Sequence, residues 1–249
     1  MQVFAIKTDI LLPPNRDLIG LIKKVNPPLK DGDVLVIASK VVAIAEGRVV
    51  KRSEVNKDDL VKRDSEWYTE RSATPGGVVM HGIVNGQLAV FAGIDPFGEW
   101  YAQWPENPAR SAEVIGEALK VEYSLTKLGV IIADSKSTPL RRGVIGGAIG
   151  WAGFTPLFDN RKRTDLTGRS SGGSQINVAD AIAAAAVLVM GEGTEQTPLV
   201  IVRDAPYAFN ESLPKKDVGT SYVVPLHEDI FAPFFDTNIW QKGDRGEVD

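Results

Sequence analysis

The sequence predicts an α+β fold in which mixed sheets and helices form two lobes. Apolar strand-like runs, capped helix patterns and one hairpin signal follow each other in an irregular order, unlike a regular βαβ array. The chain has 249 residues, of which 43% are hydrophobic and 24% charged, so it can bury a substantial core. We predict a folded domain over residues 1–204 and an irregular tail over 205–249.

The N-terminal elements are a strand, a helix and a second strand. Residues 3–10 form the first predicted strand, and Asn15 can cap a helix over 16–25 whose leucines and isoleucine share one face. The apolar run 34–38 predicts the second strand. Residues 39–46 follow it as a short helical or irregular segment.

A charged stretch and a hairpin signal come next. The dense charges of residues 53–71 predict a solvent-facing helix. Asn85-Gly86 separates the apolar runs 78–84 and 87–92, and both turn residues accept positive φ. This pattern predicts a β-hairpin with a type I′ turn.

The rest of the chain predicts four more elements and a glycine-rich segment. These elements are a helix over 108–121 with Asn107 as its cap, a strand over 129–133, an Ala-rich helix over 177–190 and a strand over 198–203. The glycines of 143–150 match neither phosphate-binding spacing, the P-loop or the dinucleotide fingerprint. We interpret them as sites of close backbone packing, with a ligand loop as the alternative.

Composition excludes several classes of function. The chain has no cysteine and only two histidines, which rules out disulfides, thiolate nucleophiles and zinc ribbons. Any metal is therefore a hard cation with oxygen ligands. The net charge of −4 argues against nucleic acid as the main partner. Without a signal-peptide pattern or a long apolar run, we expect a cytoplasmic protein with no membrane partner.

A few charged residues stand out by position. Asp95 and Asp134 each follow an apolar run, where a rigidly held carboxylate suits a hard cation or simply caps local backbone donors. Glu192 comes just after a predicted helix end, where a bound cation would offset the unfavourable helix dipole; the alternative is a solvated loop acid. The adjacent Arg141 and Arg142 form either a clamp for phosphate oxygens or a surface basic pair.

Seven segments together resemble one family, the coenzyme F420-0:L-glutamate ligases, or γ-glutamyl ligases. They occur in the family's order and cover the chain from about residue 31 to 204. The segments are DGDVLVIASKVVAIAEGRVV (31–50), FAGID (91–95), PENPARSAEVIGEAL (105–119), GVIIADSKSTPLRRGVIGGAIGWAGF (129–154), RKRTDLTGR (161–169), VADAIAAAAVLVMGEG (178–193) and PLVIVRD (198–204).

The resemblance implies a γ-glutamyl ligase-like fold and a ligase-like catalytic domain over 1–204. It implies an enzyme that uses GTP rather than ATP, needs two divalent ions, Mg²⁺ or Mn²⁺, and forms a homodimer. In such enzymes a carboxylate of F420-0 is activated as an acyl phosphate, and the amine of L-glutamate then displaces phosphate. The implied partners are therefore a nucleoside triphosphate, L-glutamate and an acidic small-molecule acceptor.

The resemblance also implies roles for individual residues. Those expected at the metals are Asp95, Asp134, Ser135 and Glu192. Those expected at the nucleotide are Leu11, Leu12, Ser39, Lys40, Met190, Gly191, Gly193 and Thr194. Those expected in catalysis are Asp134, Arg141 and Arg142.

Two departures from the family pattern leave alternatives open. The family usually has lysine where this chain has Ile44, and asparagine where it has Gly98. One alternative is a γ-glutamyl ligase that acts on folate or another acidic acceptor. The other, of a different class, is a non-catalytic homologue that binds nucleotide or metal without turnover.

Overall fold

A computed structural model describes residues 1–160, 164, 166–169, 175–209, 222–235 and 238–246. Part of the family-like segment 161–169 therefore lies outside the described residues, as do residues 210–221, 236, 237 and 247–249 of the predicted tail. The helices are α1 (Leu18–Val25), α2 (Ser39–Glu46), α3 (Lys57–Asp64), α4 (Pro108–Glu122), α5 (Val178–Met190) and α6 (Ala232–Phe235).

The strands form four sheets, which together with the helices confirm the α+β class. In chain order they are β1 (Gln2–Ile6), β2 (Asp33–Ala38), β3 (Val49–Lys51), β4 (Trp67–Thr69), β5 (His81–Val84), β6 (Gln87–Val90), β7 (Asp95–Phe97), β8 (Trp100–Ala102), β9 (Leu128–Ser137), β10 (Val144–Ala152), β11 (Leu157–Asp159), β12 (Gln175–Asn177), β13 (Leu199–Arg203) and β14 (Trp240–Lys242). The sheet orders are β1-β13-β2-β9-β10, β14-β4-β5-β6, β3-β8-β7 and β11-β12.

The five-stranded sheet is mixed and buried on both faces. Only β2 and β9 run parallel among its four pairings, and the others are antiparallel. Side chains of β2 alternate between two apolar clusters: Leu35 and Ile37 pack with α1, α2 and α4, whereas Val34 and Val36 pack against α5. The first cluster also contains Tyr68 of β4, so the large sheet and the four-stranded sheet share a core. The division into two lobes stays a prediction.

Local sequence signals form as predicted at the start of α4 and at the hairpin, but the predicted Asn15 cap is wrong. The side chain that caps α1 is that of Asp17, which accepts from the backbone N–H of Gly20, because the helix begins only at Leu18. The Asn107 side chain accepts from the backbone N–H of Arg110 and caps α4, and Asn177 caps α5 in the same way. Asn85 and Gly86 have φ of 51° and 67°, and they join β5 to β6 as a two-residue turn. These elements confirm the predictions made for them.

The glycine-rich segment forms strand β10, and its glycines permit close packing. A Cβ at Gly146 would lie 2.3 Å from the carbonyl oxygen of Ala183 in α5. A Cβ at Gly150 would lie 2.3 Å from the carbonyl carbon of Pro108 in α4. Helices can therefore approach both ends of this strand, which confirms close packing rather than a ligand loop.

Several boundaries differ from the predictions. The first predicted strand ends early, at Ile6. The predicted helix over 53–71 is wrong: α3 covers only Lys57–Asp64 and buries Leu60 and Val61, so it is not simply solvent-facing. The last part of the segment forms strand β4 instead of helix, because it pairs with both β5 and β14. β14 comes from the segment predicted as an irregular tail, and the domain boundary at 204 stays a prediction.

The two prominent aspartates also lie differently from their predicted positions. Asp134 is inside β9 rather than after it, because β10 continues the pairing, with Gly147 opposite Asp134. Asp95 begins β7 rather than ending the hairpin strand, since β6 stops at Val90. Within the described ranges, no helix is long and apolar enough to cross a membrane.

Candidate active site

A cavity of about 380 Å³ lies beside the parallel strands β2 and β9 and the loop that follows α5. Ligands of open α/β sheets bind in the crevice outside the carboxyl ends of such strands. Ser39 begins α2 directly after β2, Asp134 and Ser135 lie towards the carboxyl end of β9, and residues 190–198 complete this part of the lining. A larger open groove of about 510 Å³ between α4 and β10 contains none of the predicted site residues.

Asp134 is a partly buried carboxyl group whose surroundings change its acidity. The indole N–H of Trp104 donates to its Oδ2, the backbone N–H of Ser135 donates to its Oδ1 at 3.0 Å, and the Ser39 hydroxyl is a third partner. Burial raises the pKa of Asp134 to about 7; the charge of Asp95 also raises this pKa, and the three hydrogen bonds oppose the rise. A positive charge in the cavity would therefore favour the ionised form.

A strained turn leads the chain to Asp95. Phe91, Ala92 and Gly93 have φ of 51°, 53° and 69°, so three consecutive residues are left-handed. Two of them carry side chains, and such backbone persists only where the surroundings hold it, often at functional sites. Asp95 follows with its Oδ2 at 3.4 Å from the Nζ of Lys40. The turn thus presents a second carboxylate to the cavity, with a lysine as its partner.

Trp104 is a site residue that the sequence did not predict. It is only 6% exposed, and a Cβ at Gly93 would lie 2.0 Å from its Nε1. Gly93 therefore leaves the space in which the indole reaches Asp134. An isolated tryptophan belongs to no motif, and the glycine two residues before Asp95 was the only signal that could have pointed to close packing there.

The loop after α5 is held by its own side chains. Gly191 ends the helix with φ of 79°, and the Thr197 hydroxyl donates to the Met190 carbonyl at 2.6 Å. The backbone N–H of Gly193 donates to the Glu195 carboxylate at 2.8 Å. This loop gives the cavity a wall that includes two glycines, two threonine hydroxyls and polar Glu and Gln side chains, which suits a polar ligand.

The structure brings most of the predicted site residues to this one cavity. Its lining includes Leu11, Ser39, Lys40, Asp95, Asp134, Ser135, Met190, Gly191, Glu192, Gly193 and Thr194. Three predicted residues are not part of the lining: Leu12, Arg141 and Arg142. The two arginines are exposed near the turn between β9 and β10, where Arg141 donates to the Leu140 carbonyl at 3.2 Å. The roles assigned to all these residues stay predictions.

The donor set of the cavity suits a hard cation. The charge of Asp95 makes ionisation of Asp134 more costly, and hydroxyls of Ser39 and Ser135 lie in the same lining. Such oxygen donors are those that Mg²⁺ and Mn²⁺ prefer. Glu192 is exposed, and among the described residues no three Asp, Glu, His or Cys side chains converge into a metal-binding group. The suitability of the cavity for a hard cation therefore rests on the carboxylates of Asp95 and Asp134.

Comparison with known proteins assigns the chain to a family. The model of the F420-0:gamma-glutamyl ligase family matches residues 6–204, which span every element of the cavity. The chain belongs to this family. Membership confirms both the resemblance and the prediction of an amide-bond-forming ligase.

The ligase family also supplies full-length relatives. A coenzyme F420:L-glutamate ligase of Methanococcus maripaludis strain C7 is 30% identical over 239 residues, covering 89% of this chain and 93% of the relative. One of Methanothermobacter thermautotrophicus is 33% identical over 212 residues, covering 78% and 84%. One of Halorubrum lacusprofundi is 34% identical over 227 residues, covering 82% and 87%.

The two departures from the ligase pattern can now be placed. Ile44 is buried in α2 and lines the cavity, so an apolar side chain stands there. Gly98 lies in the turn between β7 and β8 with φ of 56°, and a Cβ added to it would meet no atom within 4 Å beyond its chain neighbours. Asparagine also tolerates this left-handed backbone. The turn that follows Asp95 is therefore compatible with either residue.

Proposed function

We propose that this chain is a GTP-dependent, divalent-metal-dependent ligase that adds L-glutamate to coenzyme F420-0. The observation that carries the proposal is the cavity: the Asp95–Asp134 pair shares it with Ser39, Lys40 and the loop after α5. Family membership supports the ligase chemistry and, through the family's description, F420-0 as the acceptor. The names of the relatives support coenzyme F420 and L-glutamate as the substrate class. The choice of GTP is supported by the resemblance alone.

The residues proposed to hold divalent ions are Asp95 and Asp134, with Ser135 and Glu192 as further donors from the same lining. Bound there, such ions would neutralise the negative charge of the triphosphate during phosphoryl transfer. Lys40 is proposed to bind an anionic oxygen of the nucleotide, because its ammonium group already lies beside Asp95.

The proposed reaction has two steps. A carboxylate oxygen of F420-0 attacks the γ-phosphorus of GTP, which forms an acyl phosphate and releases GDP. The neutral amine of glutamate then attacks the acyl carbon, the carbon–oxygen bond to phosphate breaks, and the amine proton passes to solvent. Hydrogen bonds from Trp104 and Ser135 hold the Asp134 carboxylate in one orientation throughout. Arg141 and Arg142 are proposed phosphate or substrate contacts from the exposed β9–β10 turn.

The proposal includes a cytoplasmic homodimer. The resemblance supports the dimer, and the cytoplasmic location stays an expectation.

A matrix of substrates tests the proposed function. The protein is incubated with Mn²⁺ or Mg²⁺, GTP or ATP, L-glutamate and either F420-0 or folate, and products are analysed by mass spectrometry. We expect one glutamyl residue to be added to F420-0 with GTP. Product on folate alone would overturn the choice of acceptor. Tight nucleotide binding without product on any acceptor would indicate a non-catalytic homologue.

A further inference from the structure

Lys57 is a partly buried lysine that the proposed reaction does not use; it lies outside the cavity lining and packs on the turn that leads to Asp95. It is the first residue of α3, directly after the cap Asn56, which fixes its backbone. Its Nζ lies 3.8 Å from the centre of the Phe91 ring and 5.9 Å from that of Tyr101. The side chain is therefore held against aromatic faces beside the strained turn that precedes Asp95.

The positive charge of Lys57 is not balanced by a neighbouring acid. Asp58 accepts two hydrogen bonds from Arg71, both at 2.7 Å, and Asp95 has Lys40 as its ion-pair partner. Among the described residues, Lys57 forms no ion pair of its own. The carboxylates of Asp58 and Asp95 are thus each paired with another cation, and neither is left as a partner for Lys57.

The charge of this ammonium group is compensated only in part, by the two aromatic faces and by the charges of Asp95 and Asp58. Burial lowers the pKa of Lys57, and the charges of Arg71 and Arg52 lower it too, while Asp95 and Asp58 oppose that change. The Phe91 ring under the ammonium belongs to the left-handed turn, where φ of Phe91 is 51°. The chain therefore accepts unfavourable backbone geometry at the residue against which this lysine packs, four residues before Asp95.

We infer that Lys57 binds an anionic oxygen group, carboxylate or phosphate, of one of the two non-nucleotide substrates. The inference rests on the proposed function. The predicted nucleotide contacts lie in the segment after β1, at the start of α2, and at the end of α5 with the loop that follows. Lys57 and its aromatic neighbours belong instead to α3, the turn before β7, and β8. A substrate anion would supply the negative ion-pair partner that Lys57 lacks. The ammonium group would in turn orient that substrate beside Asp95.

The test compares Lys57→Met with Lys51→Met. Methionine keeps an apolar stem over Phe91, and Lys51 is a matched control because its Nζ lies 5.9 Å from the Trp100 ring on an exposed surface. We expect Lys57→Met to raise the KM of F420-0 or of glutamate by about 10- to 100-fold, the value of a charge-assisted hydrogen bond. The KM of GTP stays unchanged, and Lys57→Arg restores part of the loss.

Separate titrations of F420-0 and glutamate by calorimetry, without turnover, show which substrate carries the anion. A weaker affinity for either one in Lys57→Met supports the inference and assigns the group. Equal KM values and affinities in wild type and Lys57→Met would overturn it, as would an effect on GTP alone. A wild-type protein that transfers no glutamate would instead overturn the proposed function, so the two failures are distinguishable.

Discussion

Asp134→Asn should stabilise the metal-free protein at neutral and alkaline pH, although it removes a proposed catalytic group. The folded protein raises the pKa of this carboxyl from 3.8 to about 7, mainly through burial. The folded state therefore binds the proton more tightly than the unfolded state does. The stability that goes with this raised pKa is complete below the unfolded value and falls as the pH rises through the folded value.

The magnitude follows from the size of the pKa change. A change of about 3 pKa units corresponds to about 4 kcal/mol as an upper value, at about 1.4 kcal/mol per unit. Asparagine can still accept from Trp104, but its amide group cannot accept from the Ser135 backbone N–H, which costs about 1–2 kcal/mol. We expect the variant to be about 2–3 kcal/mol more stable than wild type near pH 8 and slightly less stable near pH 4.

Urea unfolding with a chelator present, followed by circular dichroism across this pH range, measures the difference. Asp95→Asn is the companion variant: it removes the neighbouring charge, so the loss of stability with rising pH should shrink without disappearing. Asp59→Asn, on the exposed part of α3, controls for the loss of one acid. Parallel pH profiles for wild type and Asp134→Asn would refute this prediction, because they would show that burial does not perturb the carboxyl.

Three further variants test the packing around the site. Trp104→Phe removes the donor to Asp134 and should lower turnover in a ligase assay by about 10- to 100-fold, with a circular dichroism spectrum like that of wild type. Gly146→Ala places a Cβ against an α5 carbonyl and should reduce the free energy of unfolding by about 1–3 kcal/mol in urea titrations. Arg203→Met leaves Asp33, 1% exposed, without its bidentate partner and should cost about 3–5 kcal/mol by the same measurement; a loss below about 1 kcal/mol would contradict that expectation.

Local rules predicted much of the fold. The cap of α4 and the Asn85-Gly86 turn follow from side-chain and backbone preferences within a few residues. The 53–71 segment was mispredicted because its last part pairs with β14, where Tyr68 lies opposite Gln241, 173 residues further along the chain. Such pairing leaves no periodic signal in the segment itself.

The candidate site could be predicted only in part. Asp95 and Asp134 were singled out as acids beside apolar runs, and the resemblance grouped them with the loop after α5. Trp104 and Lys57 were missed because their importance comes from contacts across the fold, with Asp134 in one case and with Phe91 in the other. Neither contact has a sequence pattern.

The most direct test of the proposed function is the glutamylation of F420-0 by wild type and by Asp134→Asn, measured side by side. Both proteins are incubated with GTP, Mn²⁺ and L-glutamate, and the acceptor is analysed by mass spectrometry after each has been shown to be folded. We predict one added glutamyl residue with wild type and none with the variant. Product formation by the variant at the wild-type rate would contradict the assignment of Asp134 and of the cavity that contains it.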